Sequence, residues 1–156
     1  MSELTDSPGS PALIVPATWR DLNSLRHIEK LCFPKDAWPL WDLIGVLTLP
    51  NVVRFKAAIG EEMVGFIAGD QHPGEEVAWI STVAVLPEYQ RRGIGEQLIH
   101  ACEKAISVSR LRLSVRLSNE GAIRLYLRLG YQKVGLWPKY YADREDALVM
   151  EKLISN

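Results

Sequence analysis

The sequence is short of the residue types that most often announce a specialised chemistry. It has two cysteines, Cys32 and Cys102, each inside an apolar helical pattern, which reads as buried thiols and not as a disulfide framework or a cysteine nucleophile. Its three histidines, His27, His72 and His100, stand singly without metal-ligand spacing, so no metal site is expected. Positive charge is not in surplus: 18 Lys and Arg against 19 Asp and Glu leave a formal net charge of -1. No overall field therefore draws nucleic acid or an anionic membrane surface. No apolar run approaches the roughly 20 residues that span a bilayer, and the N-terminus lacks the basic-then-apolar layout of a secretory signal. These absences suit a cytoplasmic protein that meets any polyanion locally.

What is present is ordinary for a globular chain: 47% hydrophobic and 24% charged residues over 156 positions. A chain of that size matches one domain and buries roughly two-thirds of its unfolded surface without staples. Residues 1–10 are rich in Ser, Pro, Gly and acidic side chains, too poor in apolar groups to offset the cost of ordering, and are expected to form a loose tail. Residues 11–156 show no repeat or second linker and read as a single domain.

Along that domain the periodicity predicts alternating elements. Ala12–Pro16 reads as a strand, and Thr18 with Asp21 three positions on reads as a capping box ahead of Leu22, Leu25, Ile28 and Leu31. Phe33-Pro34 ends that helix, Trp38–Leu49 holds a second, and Val52–Ile59 and Met63–Gly69 form a hairpin. Val77–Val85 is an apolar, β-branched run stopped by Pro87. Ile94, Leu98, Ile99, Cys102, Ala105 and Ile106 then recur at helical spacing. Leu111, Leu113, Val115 and Leu117 alternate with Arg112, Ser114 and Arg116, placing one face on the core and the other toward solvent or a cleft. A helix over Asn119–Leu129 capped by Gly130, and strands at Tyr131–Gly135 and Ala147–Leu153, complete the order βααβββαβαββ.

One segment carries chemistry. Gln90-Arg91-Arg92-Gly93-Ile94-Gly95 sits where strand periodicity hands over to a helix. Glycines at 93 and 95 let backbone approach a ligand closely, and the first amides of a helix point outward at its positive dipole end. Arg91 and Arg92 add forked donors for phosphate oxygens in a chain with no positive surplus. The turn therefore suits a pyrophosphate, although Gly-x-Gly at a helix start also occurs for packing alone. A dinucleotide fold would want a third glycine, and position 98 is leucine.

The run Val83-Ala84-Val85-Leu86-Pro87-Glu88-Tyr89-Gln90-Arg91-Arg92-Gly93-Ile94-Gly95 resembles the acetyl-CoA-binding segment of GNAT acetyltransferases. The likeness extends through Val115–Tyr126, Leu129-Gly130-Tyr131, Tyr140-Tyr141 and Glu145-Asp146-Ala147. Within the superfamily, Cys32-Phe33-Pro34 and the late Tyr-Tyr resemble RimI-like protein N-terminal acetyltransferases. The resemblance implies a mixed α/β fold: a mostly antiparallel sheet splayed in the middle, with helices on both faces, the pantetheine arm in the splay and the acceptor on the opposite side. It implies acetyl-CoA as cosubstrate, contacted by Val83, Ala84, Val85, Gln90, Arg91, Arg92, Gly93, Ile94, Gly95, Asn119 and Tyr126.

Acyl transfer from a thioester to an amine needs a neutral nucleophile, a stabilised oxyanion and an acid for the departing thiolate. By resemblance Tyr126 is the acid, and backbone amides around Val83–Val85 serve the oxyanion; Tyr126 also fits a plain core aromatic. RimI-like enzymes carry a glutamate base on the strand before Asn119, where this chain has Ser114. A serine is a poor base, so deprotonation is expected through water held by Ser114 and backbone groups, with Glu75 or Glu76 either helping or, as adjacent carboxylates at a turn, serving only as solvated loop charges. The acceptor is expected to meet Phe33, Trp38, Tyr140 and Tyr141, and Asp143, Glu145 and Asp146 either attract a cationic acceptor or form an exposed acidic turn. The leading expectation is acetylation of a protein N-terminal α-amine by a monomer or weak homodimer. A small-molecule amine or lysine side chain as acceptor, and a non-catalytic acyl-CoA sensor, stay open beside it.

Overall fold

The computed structural model describes residues 11–36, 38–72 and 74–154; the expected tail at 1–10 lies outside them. The chain runs β1 (Leu13–Pro16), α1 (Leu22–Cys32), α2 (Leu40–Thr48), β2 (Val52–Ile59), β3 (Glu62–Asp70), β4 (Val77–Val85), α3 (Ile94–Ala105), β5 (Arg110–Arg116), α4 (Glu120–Arg128), β6 (Gln132–Trp137) and β7 (Ala147–Leu153), in the expected order.

Local chemistry accounts for the ends of the first elements. Thr18 and Asp21 form the capping box, the Asp21 carboxylate accepting from the Thr18 amide at 2.8 Å, and a short 3-10 turn at Trp19–Asp21 feeds α1. The turn Gly60-Glu61 joins β2 to β3, with Ile59 opposite Glu62 and Gly60 at φ +60°. α1 contacts β3 and β4, while α3 contacts β2, β3 and β4. Between them Met63–Gly69 is buried at every position, although successive side chains on a strand point to opposite faces. α3 lies close to the sheet because β3 carries glycine beneath it; a Cβ at Gly69 would stand 2.8 Å from Cys102 Sγ. Leu25, Ile28, Phe66, Ile67, Leu98, Ile99, Leu111, Leu113 and Met150 are almost completely buried, each such side chain contributing ~1.5–3 kcal/mol.

Among the described residues the strands β1 to β7 join one sheet in the spatial order β1-β2-β3-β4-β5-β7-β6. Every pair is antiparallel except β4 with β5. Around the glycine turn β4 is therefore antiparallel to β3 but parallel to β5, because α3 carries the chain over the sheet and returns it alongside β4. That parallel ladder covers only Val77↔Arg110, Ala78↔Leu111 and Trp79↔Arg112. Beyond Trp79 the two strands part, while β4 stays paired with β3 as far as Val85. A bulge sharpens the departure: Gly69 pairs with Ile80 and Ala68 with Thr82, so Ser81 is the extra residue on β4. The splay leaves the β5-facing edge of Thr82–Val85 without a strand neighbour, in the middle of the sheet.

Candidate active site

Two clefts enter this splay. The first, about 520 Å³, is lined by Val83, Ala84 and Val85 of β4, by the turn residues Gln90, Arg91, Gly93, Ile94 and Gly95, and by Asn119, Leu125 and Tyr126 around α4. The turn is built as a concave anion seat. Arg91 and Gly93 both take left-handed backbone conformations, φ 66° and 80°, a geometry that turns successive amides toward a common point. No side chain caps α3, so its first amides are left for a ligand. The Gln90 amide donates to the Val85 carbonyl at 3.0 Å and ties the turn to the end of β4. Opposite, the Asn119 side chain accepts from Ala122 N at 3.2 Å and caps α4. Arg92 is the one expected donor-side residue outside the cleft lining: its guanidinium donates to the Glu88 carbonyl at 3.0 Å and lies 5.1 Å from the Tyr89 ring centre.

The second cleft, about 310 Å³, opens on the other side. Phe33, Asp36, Trp38, Glu29, Ile80–Val83, Ser114, Arg116, Tyr126, Tyr140 and Tyr141 line it. Val83 and Tyr126 belong to both clefts, so the two spaces meet there. Tyr126 is 7% exposed, and its ring packs edge-on against Tyr131 with centroids 5.9 Å apart. Burial, with Tyr141 nearby, pushes its hydroxyl up to about 12, so it is protonated throughout the neutral range. Tyr140 and Tyr141, both expected on this side, pack edge-on with centroids 5.1 Å apart, and Trp137 lies tilted against Tyr140 at 5.0 Å.

Several expectations are altered by the fold. Glu75 and Glu76 precede β4 at the end remote from the splay, and Glu75 lines a separate surface hollow with His72 and Ser107, so neither reaches the second cleft and both fit solvated loop charges. Ser114 does line that cleft, beside Tyr141, whose phenol pKa is raised chiefly by burial and partly lowered by the Ser114 hydroxyl. The acidic turn is engaged rather than open. Arg116 donates to Asp36 at 2.7 and 2.8 Å, to Asp143 at 3.0 Å and to Glu145 at 2.8 Å, and its guanidinium lies 4.1 Å from the Tyr141 ring centre. These bonds hold the Asp143 and Glu145 carboxyls below their ordinary range; at Asp143 the Arg116 bond leads, and at Glu145 the Ser118 bond leads with Arg116 next. Asp146 instead accepts from the Lys139 amide at 2.9 Å. Arg116 thus clamps the loop after α1 to the loop before β7 and fixes both walls of the cleft.

Glu29, Asp36 and Arg116 line the second cleft without having been picked out as candidates from the sequence. The signal for Arg116 was its place beside Ser114 on the cleft-facing side of β5. The signal for Glu29 was a carboxylate next to the apolar stripe of α1. Among the described residues, no group of three His, Cys, Asp or Glu side chains is placed to hold a metal ion.

Comparison with known proteins agrees with this geometry. Residues 22–131 match the family description of the acetyltransferase (GNAT) family. The chain is 31% identical over 144 residues to the N-alpha-acetyltransferase of Sulfurisphaera tokodaii, spanning 83% of this chain and 86% of that protein. It is 31% identical over 147 residues to the N-alpha-acetyltransferase RimI of Mycobacterium tuberculosis, spanning 91% and 92%. The crystal structure of the ribosomal-protein-S18-alanine N-acetyltransferase from Escherichia coli superposes with a TM-score of 0.83 at 30% identity, covering 93% of this chain and 95% of that one.

Proposed function

The chain belongs to the GNAT family and is an N-acetyltransferase, and from that premise we propose that it acetylates protein N-terminal α-amines by direct attack within a ternary complex. The observation that carries this reading is the meeting of the two clefts at Tyr126 and Val83. One space has the donor set for a coenzyme's phosphates, and the other is an aromatic pocket for an amine.

The residues divide the work as follows. Arg91 and the amides of Ile94 and Gly95 hold the donor's phosphates, and the free edge of β4 takes its pantetheine arm. A donor cleft of about 520 Å³ falls within the roughly 300–1,000 Å³ usual for such ligands. Acetyl-CoA supplies the thioester when bound. Those backbone N–H groups of Val83–Val85 that face the splay, on the side of β4 away from its ladder with β3, stabilise the oxyanion. Tyr126 donates its proton toward the departing sulfur. Phe33, Trp38, Tyr140 and Tyr141 hold the acceptor, with Arg116 keeping Tyr141 in place. A protein α-amine suits such a site: its ordinary pKa of about 7.7–8.0 leaves roughly a tenth neutral at pH 7, against under a thousandth for lysine near 10.4.

We further take residues 11–156 as one catalytic domain acting in the cytoplasm as a monomer or weak homodimer. Two free thiols fit a reducing compartment, and no helix among the described residues is long and apolar enough to cross a membrane. Thiol release from acetyl-CoA is the test, measured with N-terminal peptides, a polyamine and a lysine side-chain peptide. Turnover confined to N-terminal peptides is expected. Turnover only with the polyamine or lysine peptide would move the enzyme to another acceptor class, and binding of acetyl-CoA without turnover would make it a sensor.

A further inference from the structure

The reaction needs a group to accept the proton of the incoming ammonium, and the acceptor cleft holds two carboxyls, Glu29 and Asp36. Asp36 is committed to Arg116 through the short bonds described above. Glu29 is different. It is 2% exposed where it lines the cleft, and its hydrogen-bond partner is neutral: the Thr82 hydroxyl donates to Oε1 at 3.0 Å. It also lies in the last turn of α1, where the helix dipole disfavours an anion. An apolar side chain would fill this position beside Leu25 and Ile28 at less cost, since a buried carboxylate facing no cation is expensive. Thr82 precedes Val83, the strand residue shared by both clefts, so the Glu29 carboxyl reaches β4 one residue from the point where donor and acceptor spaces join.

Resting on the N-terminal acetyltransferase reading, we propose that Glu29 is the general base of the reaction, taking a proton from the acceptor α-ammonium in the place of a base on β5. One N–H bond breaks and the proton passes to a Glu29 oxygen, while the freed lone pair forms the C–N bond to the thioester carbonyl. On collapse the C–S bond breaks, Tyr126 gives its proton to sulfur, and the second nitrogen proton restores Tyr126. The Glu29 proton leaves to solvent through the acceptor cleft. Burial raises the Glu29 pKa from the ordinary carboxylate range, partly offset by the Thr82 hydrogen bond, and so narrows its distance from the amine it serves. The other groups around it do not compete. Cys32, on the next turn of α1, is pushed up to about 11 by burial and by Glu29 itself. Tyr126 of α4 stands at about 12 and Tyr141 is also raised, chiefly by burial. Asp36 and Arg116 form an ion pair, and Tyr140 closes the rim.

The test is the pH profile of kcat/KM for an N-terminal peptide with the wild-type chain and with Glu29→Gln, whose amide oxygen still accepts from Thr82. The variant must wait for amine that has lost its proton in solution. Its deficit is expected to be roughly 100-fold near pH 6.5 and to shrink several-fold by about pH 9, as the amine passes its own pKa of about 8. KM for acetyl-CoA is expected to stay within about twofold. An aminooxyacetyl peptide, whose nucleophilic nitrogen is unprotonated at neutral pH, should be used by Glu29→Gln at close to the wild-type rate. Glu29→Asp should keep the wild-type shape of the profile at a reduced rate. A deficit of equal size at every pH, or one that persists with the aminooxy acceptor, would make Glu29 a structural residue and overturn the proposal. If the wild type acetylates only a polyamine or lysine peptide, the N-terminal reading fails, and the same comparison on that amine still decides the role of Glu29.

Discussion

Replacing Tyr126 by phenylalanine removes one hydroxyl at the junction of the two clefts and little else. The ring that packs edge-on against Tyr131 at 5.9 Å is retained, so folding stability should change by no more than about 1 kcal/mol. The kinetic effect should be much larger. With Tyr126 pushed up to about 12, well above a thiol's ordinary ~8.5, outright proton loss to sulfur is uphill, so the hydroxyl is reprotonated as it donates. Loss of a single donor of this kind lowers kcat by about 10²–10³, ~2.7–4 kcal/mol of barrier. KM for acetyl-CoA and peptide should hold, because the group acts as the C–S bond breaks rather than in binding. A raised phenol pKa means the acid form persists until pH climbs through about 12, so no loss of wild-type kcat on the alkaline side below ~pH 9 should trace to Tyr126. Steady-state thiol release, paired with thermal unfolding, is the assay. A Tyr126→Phe enzyme within about threefold of wild type would refute the assignment and return Tyr126 to the core.

Three further outcomes follow from the geometry. Arg91→Ala and Arg91→Gly should both raise KM for acetyl-CoA about tenfold by removing a charged phosphate donor. Because Arg91 sits at φ 66°, the glycine variant should be the more stable of the two by about 1 kcal/mol, visible as a Tm ~2–4 °C higher. Gly69→Ala should destabilise by about 1–3 kcal/mol through the 2.8 Å approach to Cys102 Sγ, with part of the loss recovered when Cys102→Ala is added, read by denaturant unfolding in a double-mutant cycle. Arg116→Lys keeps a charge but loses the fork that joins Asp36, Asp143 and Glu145, so KM for the peptide should rise while KM for acetyl-CoA does not. The Asp143 and Glu145 carboxyls are depressed, so their contribution is complete above the ordinary carboxylate range of about 4 and is lost as pH falls through their lowered values. In the wild type, then, the clamp should leave the profile flat between about pH 5 and 9.

The linear sequence was enough for the elements and the donor side. Strand and helix periods differ, so Val77–Val85 and the stripe Ile94, Leu98, Ile99, Cys102 announced their own conformations, and Gly93 with Gly95 marked the turn between them. Those residues lie within a short stretch of chain, and a phosphate seat made of backbone amides is a local object. The acceptor side is not local. Glu29 meets Thr82 across 53 positions, and Arg116 reaches Asp36 across 80. The parting of β4 from β5 after Trp79 brings these groups to one cleft, and strand register leaves no periodic trace in the sequence. For the same reason the sequence left Glu75 and Glu76 open between helper bases and solvated loop charges, while the place of Glu29 beside an apolar stripe hinted at burial without showing what it faces. Which carboxyl is buried, and which is paired with an arginine, is settled by packing between distant segments, and only the tertiary structure decides it.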